Sequence, residues 1–278
     1  MGELHVVATP IGNLEDVTLR ALRVLGEADL VLAEDTRRTR VLCDRHGVKA
    51  RPVSLHAHNE AARVEKTLAV LARGGSVALV SDAGTPLISD PGERLVAAAV
   101  AAGHRVTPVP GASAVVSALA VAGLPASPFT FLGFLPRRAG ARDALLEGLR
   151  ERPETLVLFE SPRRVAATLR RCAEILGPRP ACVARELTKL HEEVLRGPLP
   201  DLAERCAAGA RGEITIVIGG AGRAAAPDPA EIDAAIRAGF AAGESARAIA
   251  ARLARAAGFS RRAVYNRALA LRRETKST

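Results

Sequence analysis

Between residues 77 and 92 the chain reads VALVSDAGTPLISDPG, and here the side chains able to do chemistry crowd together. Ser81, Asp82, Ser89 and Asp90 bring hydroxyl and carboxylate acceptors. Pro86 and Pro91 stiffen the backbone, and Gly84 and Gly92 let it approach a ligand closely. The preceding run, 77–80, is apolar without alternation, as in a strand covered on both faces, so a buried strand empties into a long polar loop. Connections from strand to helix ordinarily take about two to six residues. In an open parallel sheet ligands sit beyond the carboxyl ends of the strands, which marks this loop as a small-molecule site.

Two further loops have the same character: PIGN at 10–13 and PGAS at 110–113. Together the three offer backbone donors and short acceptors without a strong charge, which suits a zwitterionic, adenosine-bearing ligand. Residues 111–113 open a helix, whose free N–H groups with the Ser113 hydroxyl can take a carboxylate or an adenosine edge. Other chemistries are excluded by absence of their motifs. There is no GxxxxGK for phosphoryl transfer and no GxSxG elbow. Cys43, Cys172, Cys182 and Cys206 form no CxxC pair and read as reduced structural thiols. His56 and His58 stand one residue apart with no third ligand in view, so no metal is expected.

The elements that must position these loops follow a repeated pattern. Apolar strands are expected at 4–9, 29–33, 52–56, 77–80 and 104–109, each ending in polar residues, with helices at 17–26, after the charged cluster 34–40 to 46, ending at 73, and at 93–102. Asp16 is the expected N-cap of the first helix. This is an open parallel α/β sheet. LPASPF at 124–129 breaks the pattern. Beyond it, strands at 130–135, 155–159, 181–186, 192–196 and 213–218 alternate with helices at 142–150, 163–176 and 200–208. The closely spaced strands at 181–196 read as an antiparallel pair in a mixed sheet. The expected domains are therefore 1–124 and 125–220, followed by a linker at 221–229 and a tail at 230–278. Gly220, Gly222 and Ala225 match a dinucleotide fingerprint, but the prolines after them forbid the helix it needs.

The 278 residues carry a formal charge of +9, which points to a polyanionic partner. The tail holds ten Lys or Arg against four Asp or Glu, most of the excess. Ala246, Ile249, Ala250 and Leu253 share one helix face and Val264, Ala268 and Leu271 another, with GFS at 258–260 between them. Arg261, Arg262 and Arg267 line the second helix. The pair resembles a helix-turn-helix and is expected to contact nucleic acid. With one tyrosine, six phenylalanines and no tryptophan, there are few stacking platforms, so nucleic acid is expected to be read by shape and phosphate. No run of eighteen apolar residues and no signal peptide occurs, and a cytoplasmic location is expected.

VATPIGNLEDVTLRALRVLGEADLVLAEDTR, VSDAGTPLISDPG, VPGASAVVSALAVAGL, FLGFLP, ESPRR and ARELTKLHEEVLRG closely resemble the ribosomal small-subunit RNA methyltransferase I family of the tetrapyrrole-methylase, or class III, methyltransferases. The resemblance spans essentially the whole chain. It implies two α/β domains with S-adenosylmethionine in the cleft between them, a small helical C-terminal domain, a homodimer, and methylation of the ribose 2′-hydroxyl of a cytidine in the decoding region of 16S rRNA. By position it carries over as cofactor contacts Pro10, Gly12, Asp82, Ala83, Gly84, Ile88, Ser89, Ser113, Ala114, Leu187 and Thr215. One departure stands: Leu55 and Ala57 occupy places where the family tends to an aromatic residue and a glutamate, which leaves His58, Asn59 and Glu60 as the usable part.

Transfer from a sulfonium to a 2′-hydroxyl needs alignment and a base near the attacked oxygen. The candidates at strand ends are Glu34, Asp35, Glu60, Glu160 and Lys189, while Arg37, Arg38, Asn59, Arg163 and Arg164 are candidates to hold RNA. Two rival readings are a tetrapyrrole C-methyltransferase, which needs neither the basic tail nor EDTRR, and a non-catalytic RNA-binding assembly factor.

Overall fold

The computed structural model describes residues 2–56, 59–209, 211–222, 229–257 and 261–274; of these, the side chains of 208, 229–231, 254–257, 261–263, 273 and 274 are not described. Residues 1–149 with 154–219 form one compact unit, and 150–153 with 220–278 form a second.

Within the first unit, five strands make a parallel sheet: β1 Glu3–Val7, β2 Leu30–Ala33, β3 Pro52–Ser54, β4 Ser76–Val80 and β5 Arg105–Val109, in the order β3-β2-β4-β1-β5. The unbroken apolar runs of β2, LVLA, and β4, VALV, are explained by burial on both faces. One face packs Val7, Val31 and Val80 against α1 Leu19–Glu27 and α2 Thr36–Arg45 through Ala21, Val24, Leu25, Leu42 and Cys43. The other packs Leu4, Leu32 and Leu79 against α3 Glu60–Ala72 and α4 Glu93–Ala101 through Leu71 and Leu95. Each such leucine contributes about 1.5–3 kcal/mol by leaving water. β1 connects to β2 on one side of the sheet and β4 to β5 on the other, so the strand order reverses between β1 and β4. A crevice opens at that point, beyond the carboxyl ends of both strands.

Asp16 is not the cap of α1. It lies in a 3-10 turn, Leu14–Asp16, closed by the Asn13 side chain accepting from Glu15 N. Val17 then runs extended, and the Thr18 hydroxyl caps the helix by accepting from Ala21 N at 3.1 Å. Thr18 stands at the spacing from the first free N–H groups that a cap requires.

The second sheet is mixed, as expected: β6 Phe129–Phe134, β7 Thr155–Glu160, β8 Pro180–Arg185, β9 Glu193–Pro198 and β10 Ile214–Ile218, in the order β6-β7-β10-β8-β9. Only β6 and β7 pair in parallel; β8 and β9 form the antiparallel pair. Its outer face is covered by α6 Ala139–Gly148, α7 Val165–Leu176 and α8 Leu199–Arg205. Its inner face receives α5 Ala114–Ala122, whose Val115, Ala118, Leu119 and Ala122 pack on Val157, Cys182, Ala184 and Val217. Thus α5 follows the first sheet in sequence but serves the second in packing. Arg179, buried, donates to the carbonyls of Leu149, Leu176 and Gly219, which satisfies the chain ends around β8.

The second unit holds three helices, α9 Pro229–Ala241, α10 Ala246–Ala257 and α11 Arg261–Glu274, around Ile236, Ile249, Ala250, Val264, Ala268 and Leu271. The faces expected for the last two helices are those that pack. Ser245 caps α10 by accepting from Ala248 N. The expected turn at 258–260 and the Ala225 end of the glycine motif lie outside the described residues. No helix among the described residues is long and apolar enough to cross a membrane.

Candidate functional site

The crevice is built by loops that hold one another. Thr9, after β1, and Gly84, after β4, exchange backbone hydrogen bonds of 2.8 and 3.0 Å, and the Thr9 hydroxyl donates to Ser81 O at 3.3 Å. Asp82 reaches the loop after β2, accepting from Asp35 N at 2.8 Å and lying 3.6 Å from the Arg38 guanidinium. Gly84 has φ +79°, and Leu87 and Ser89, which are not glycines, both have φ +73°. Non-glycine residues in this region cost about 1–3 kcal/mol each, a strain that clusters at functional sites. Across the crevice, in the β8–β9 loop, Glu186 and Thr188 are also left-handed, at +52° and +68°.

Two cavities lie in the crevice. The first, about 370 Å³, takes Ile88, Ser89, Ala114 and Thr215 from the expected cofactor set. It adds Phe134, 54% exposed, with its ring 5.7 Å from that of Phe159. Its charged lining is Asp90, Glu160 and Glu213, with no basic side chain. Ser113, at the N-cap of α5, makes no capping hydrogen bond, which leaves its hydroxyl and the first turn's N–H groups available. Burial raises the Asp90 carboxyl above its usual range, and the charge of Asp82 adds to the effect.

The second cavity, about 340 Å³, takes Pro10, Gly12, Asp82 and Ala83 from the expected set, together with Arg38, Lys189 and Glu213. Glu213 lines both cavities. Lys189 is held there by Glu186 at 2.8 Å and Glu213 at 3.3 Å. Burial works to lower the Lys189 ammonium, but hydrogen bonds and charge from Glu186 and Glu213 outweigh it and leave it raised, so the amine stays protonated. Glu186 in turn is lowered by Lys189 and by the Glu213 N–H. Gly84 stands between the two cavities' loops, against Ile11 and Ala112.

The remaining candidates divide by what already holds them. Glu60 is 7% exposed and accepts from Arg94 N, capping α4, whose own N-cap is Gly92. Glu160, 3% exposed, accepts from Ser161 N and from the Thr168 hydroxyl at 2.6 Å, and lies 3.5 Å from Arg164. Arg164 also donates to Leu135 O. Asp35 is drawn down to about 2 by the side-chain hydrogen bonds of Arg37, then by its backbone N–H, which makes it a poor base. Glu34 moves the other way, raised by burial and by the charges of Asp82 and Asp90. Asn59 closes the β3–α3 turn, accepting from His56 N and donating to Ser54 O. Arg163 is exposed, and Leu187 packs partly buried on the α5 face. Arg267 pairs with Asp233. Ala57 and His58 lie outside the described residues, as do the side chains of Arg261 and Arg262.

Sequence reasoning missed Phe134, Phe159, Glu186 and Glu213. The aromatic scarcity was a usable signal: two of only six phenylalanines stand on adjacent strands facing one cavity. All four cysteines are buried thiols, and burial pushes Cys172 up to about 12. Among the described residues no cluster of three His, Cys, Asp or Glu is arranged to hold a metal ion.

Residues 3–203 match the family model of the tetrapyrrole (corrin/porphyrin) methylases. The chain is 48% identical over 272 residues to ribosomal RNA small subunit methyltransferase I of Mesorhizobium japonicum, covering 97% of this chain and 92% of that protein. It is 46% identical over 279 residues to the protein of the same name from Mycobacterium tuberculosis, covering 99% and 97%. Among solved structures, uroporphyrin-III C-methyltransferase from Thermus thermophilus is 25% identical with a TM-score of 0.56, covering 79% of this chain and 94% of that one. Diphthine synthase shares the fold at a TM-score of 0.63 and 16% identity, covering 79% and 90%.

Proposed function

The chain belongs to the tetrapyrrole methylase family and, within it, groups with the ribosomal RNA small subunit methyltransferases I; from that membership we propose that it transfers a methyl group from S-adenosylmethionine to the ribose 2′-hydroxyl of a cytidine in the decoding region of 16S rRNA. The observation that carries the reading is the difference in charge between two adjoining cavities at the switch point. The first is aromatic and its charged lining is acidic, with Glu160 and Glu213 each also within 4 Å of a cation outside the cavity, Arg164 and Lys189; it fits a ligand with a sulfonium and an ammonium, which Asp90 and the half-exposed Phe134 face attract. It repels phosphate, so it is unsuited to RNA.

In this reading Ile88, Ala114, Phe134 and Phe159 hold the adenosine, Ser89 and Thr215 its polar edges, with Ser113, at the α5 N-cap next to Ala114, as a further donor and Leu187 behind the α5 face. Bound there, S-adenosylmethionine supplies an electrophilic methyl group. The chain's own work is alignment, exclusion of water and removal of a proton. Of the five proposed bases, Asp35 is too acidic, Glu60 and Glu160 are engaged in caps and pairs, and Lys189 is protonated. Glu34 is left: its carboxyl, raised above its usual range by burial and by the charges of Asp82 and Asp90, follows β2 beside Asp82, which lines the second cavity.

The same membership supports a homodimer working in the cytoplasm. It also supports the division into 1–124, 125–220, a linker at 221–229 and a tail at 230–278 whose Arg261, Arg262 and Arg267 meet RNA phosphates, with Arg37 and Arg163 as further contacts. The deciding experiment is transfer of labelled methyl to small subunits lacking the modification, followed by nuclease digestion. Label on a ribose 2′-oxygen of a decoding-region cytidine is expected. Label appearing only on small-molecule acceptors such as tetrapyrroles overturns the reading.

A further inference from the structure

Resting on that reading, we propose that the second cavity is the seat of the target nucleoside itself, everted from the RNA and read by its polar edge rather than held through a phosphate. A transfer reaction needs two ligands meeting at one wall, and Glu213 is the wall the two cavities share. The second cavity has the size of a small-ligand pocket. Its apolar lining, Ile11, Leu14, Val41 and Leu42, suits the faces of an unstacked base.

Its charges decide between nucleoside and phosphate. Arg38 and Lys189 line it, but so do Asp82 and Glu213, and each cation faces a carboxylate within 4 Å. Lys189 is further neutralised by Glu186, whose own carboxylate fits only because position 212 is glycine: a Cβ there would lie 2.2 Å from it. A cavity whose charges cancel offers no net attraction for the singly charged phosphodiester of an RNA backbone. It does offer carboxylate acceptors beside ammonium and guanidinium donors, the complement of cytosine, with its N4 amino donor next to N3 and O2 acceptors. Lys189 is fixed in place rather than mobile: a Cβ on Gly12 would come within 2.4 Å of Lys189 Cγ, so the β1 loop and the β8–β9 loop touch at this cavity's edge.

The test uses the full chain and small subunits lacking the modification. Lys189→Gln lowers methyl transfer about tenfold, and Val41→Trp, which fills the cavity from an exposed position on α2, abolishes it. In both, S-adenosylhomocysteine affinity by calorimetry stays within about twofold of wild type. The slope of log binding constant against log salt is unchanged in Lys189→Gln; a fall of about 0.7–0.9 identifies a phosphate contact and overturns the proposal. Loss of S-adenosylhomocysteine affinity in Val41→Trp assigns the cavity to the cofactor and overturns it as well. With uridine placed at the methylated position, wild type favours cytidine, and Glu213→Gln shrinks that ratio about tenfold. The ratio cancels any effect of Glu213 on the cofactor, and an unchanged ratio counts against the proposal. If wild type methylates no subunit, the functional reading itself fails and this inference with it, a result distinct from all the others because those require an active wild type.

Discussion

Asp82 Oδ1 accepts the backbone N–H of Asp35 at 2.8 Å, joining the loop after β4 to the loop after β2 across 47 residues of sequence. Because Thr9 and Gly84 tie the loop after β1 to the same segment, one carboxylate helps hold three loops at the switch point.

Removing that acceptor leaves a half-buried N–H without its partner, which costs about 1–3 kcal/mol. Asp82→Ala is expected to lower the melting temperature by about 2–12 °C in a unit of this size, with Asp82→Asn, which keeps an oxygen acceptor, losing less. Differential scanning calorimetry checks both; equal losses would deny the hydrogen bond its role.

The Asp90 carboxyl is raised by burial and then by Asp82, so its folded form binds a proton more tightly than its unfolded form. Its contribution to stability is complete below the unfolded value of 3.8 and declines as pH rises through the folded one. Asp90→Asn should therefore raise the melting temperature relative to wild type at pH 7 and show no gain at pH 3.5. It should also weaken S-adenosylhomocysteine binding, since it removes a charge from the acidic cavity. A thermal series across pH, with calorimetric titration at pH 7, reads both.

Glu34 is raised by burial, then by Asp82 and Asp90. A base must be deprotonated to act, so the rate of methyl transfer should rise with pH above the ordinary glutamate value of 4.5. Glu34→Gln is expected to cut kcat by about 10²–10⁴ and abolish that rise while KM for subunits changes little. A mutant retaining the wild-type pH profile would move the base elsewhere.

Truncation before residue 230 removes ten basic side chains and four acidic ones. Affinity for subunits and its dependence on salt should both fall, while cofactor affinity is retained. Filter binding across a salt series, set beside calorimetry, separates the two effects; equal loss of both would argue against an independent RNA-binding role for the tail.

Several features were legible from residue order alone. The unbroken apolar run at 77–80 becomes a central strand because burial on both faces favours apolar side chains at every position. The polar text after each strand becomes the crevice because parallel strands deliver their ends to one side. Less legible were the duties of single polar residues. Asn59, Glu60 and Glu160 look like chemistry in the sequence, yet each is taken up by a turn, a helix cap or a buried hydroxyl whose need depends on where the chain stops being helical or extended.

Residue order thus specified the two α/β sheets, the loops at their strand ends and the basic tail, since hydrophobic periodicity states which faces leave water. It did not specify which loop meets which. That Glu213 and Lys189 come to Gly12 from the far end of the chain, and that the crevice splits into an acidic aromatic cavity and a charge-balanced one, follows from strand order and from α5 packing on the second sheet. Hydrophobic burial is non-directional and fixes no partner, so only the packed arrangement of the loops could decide the electrostatics of the site.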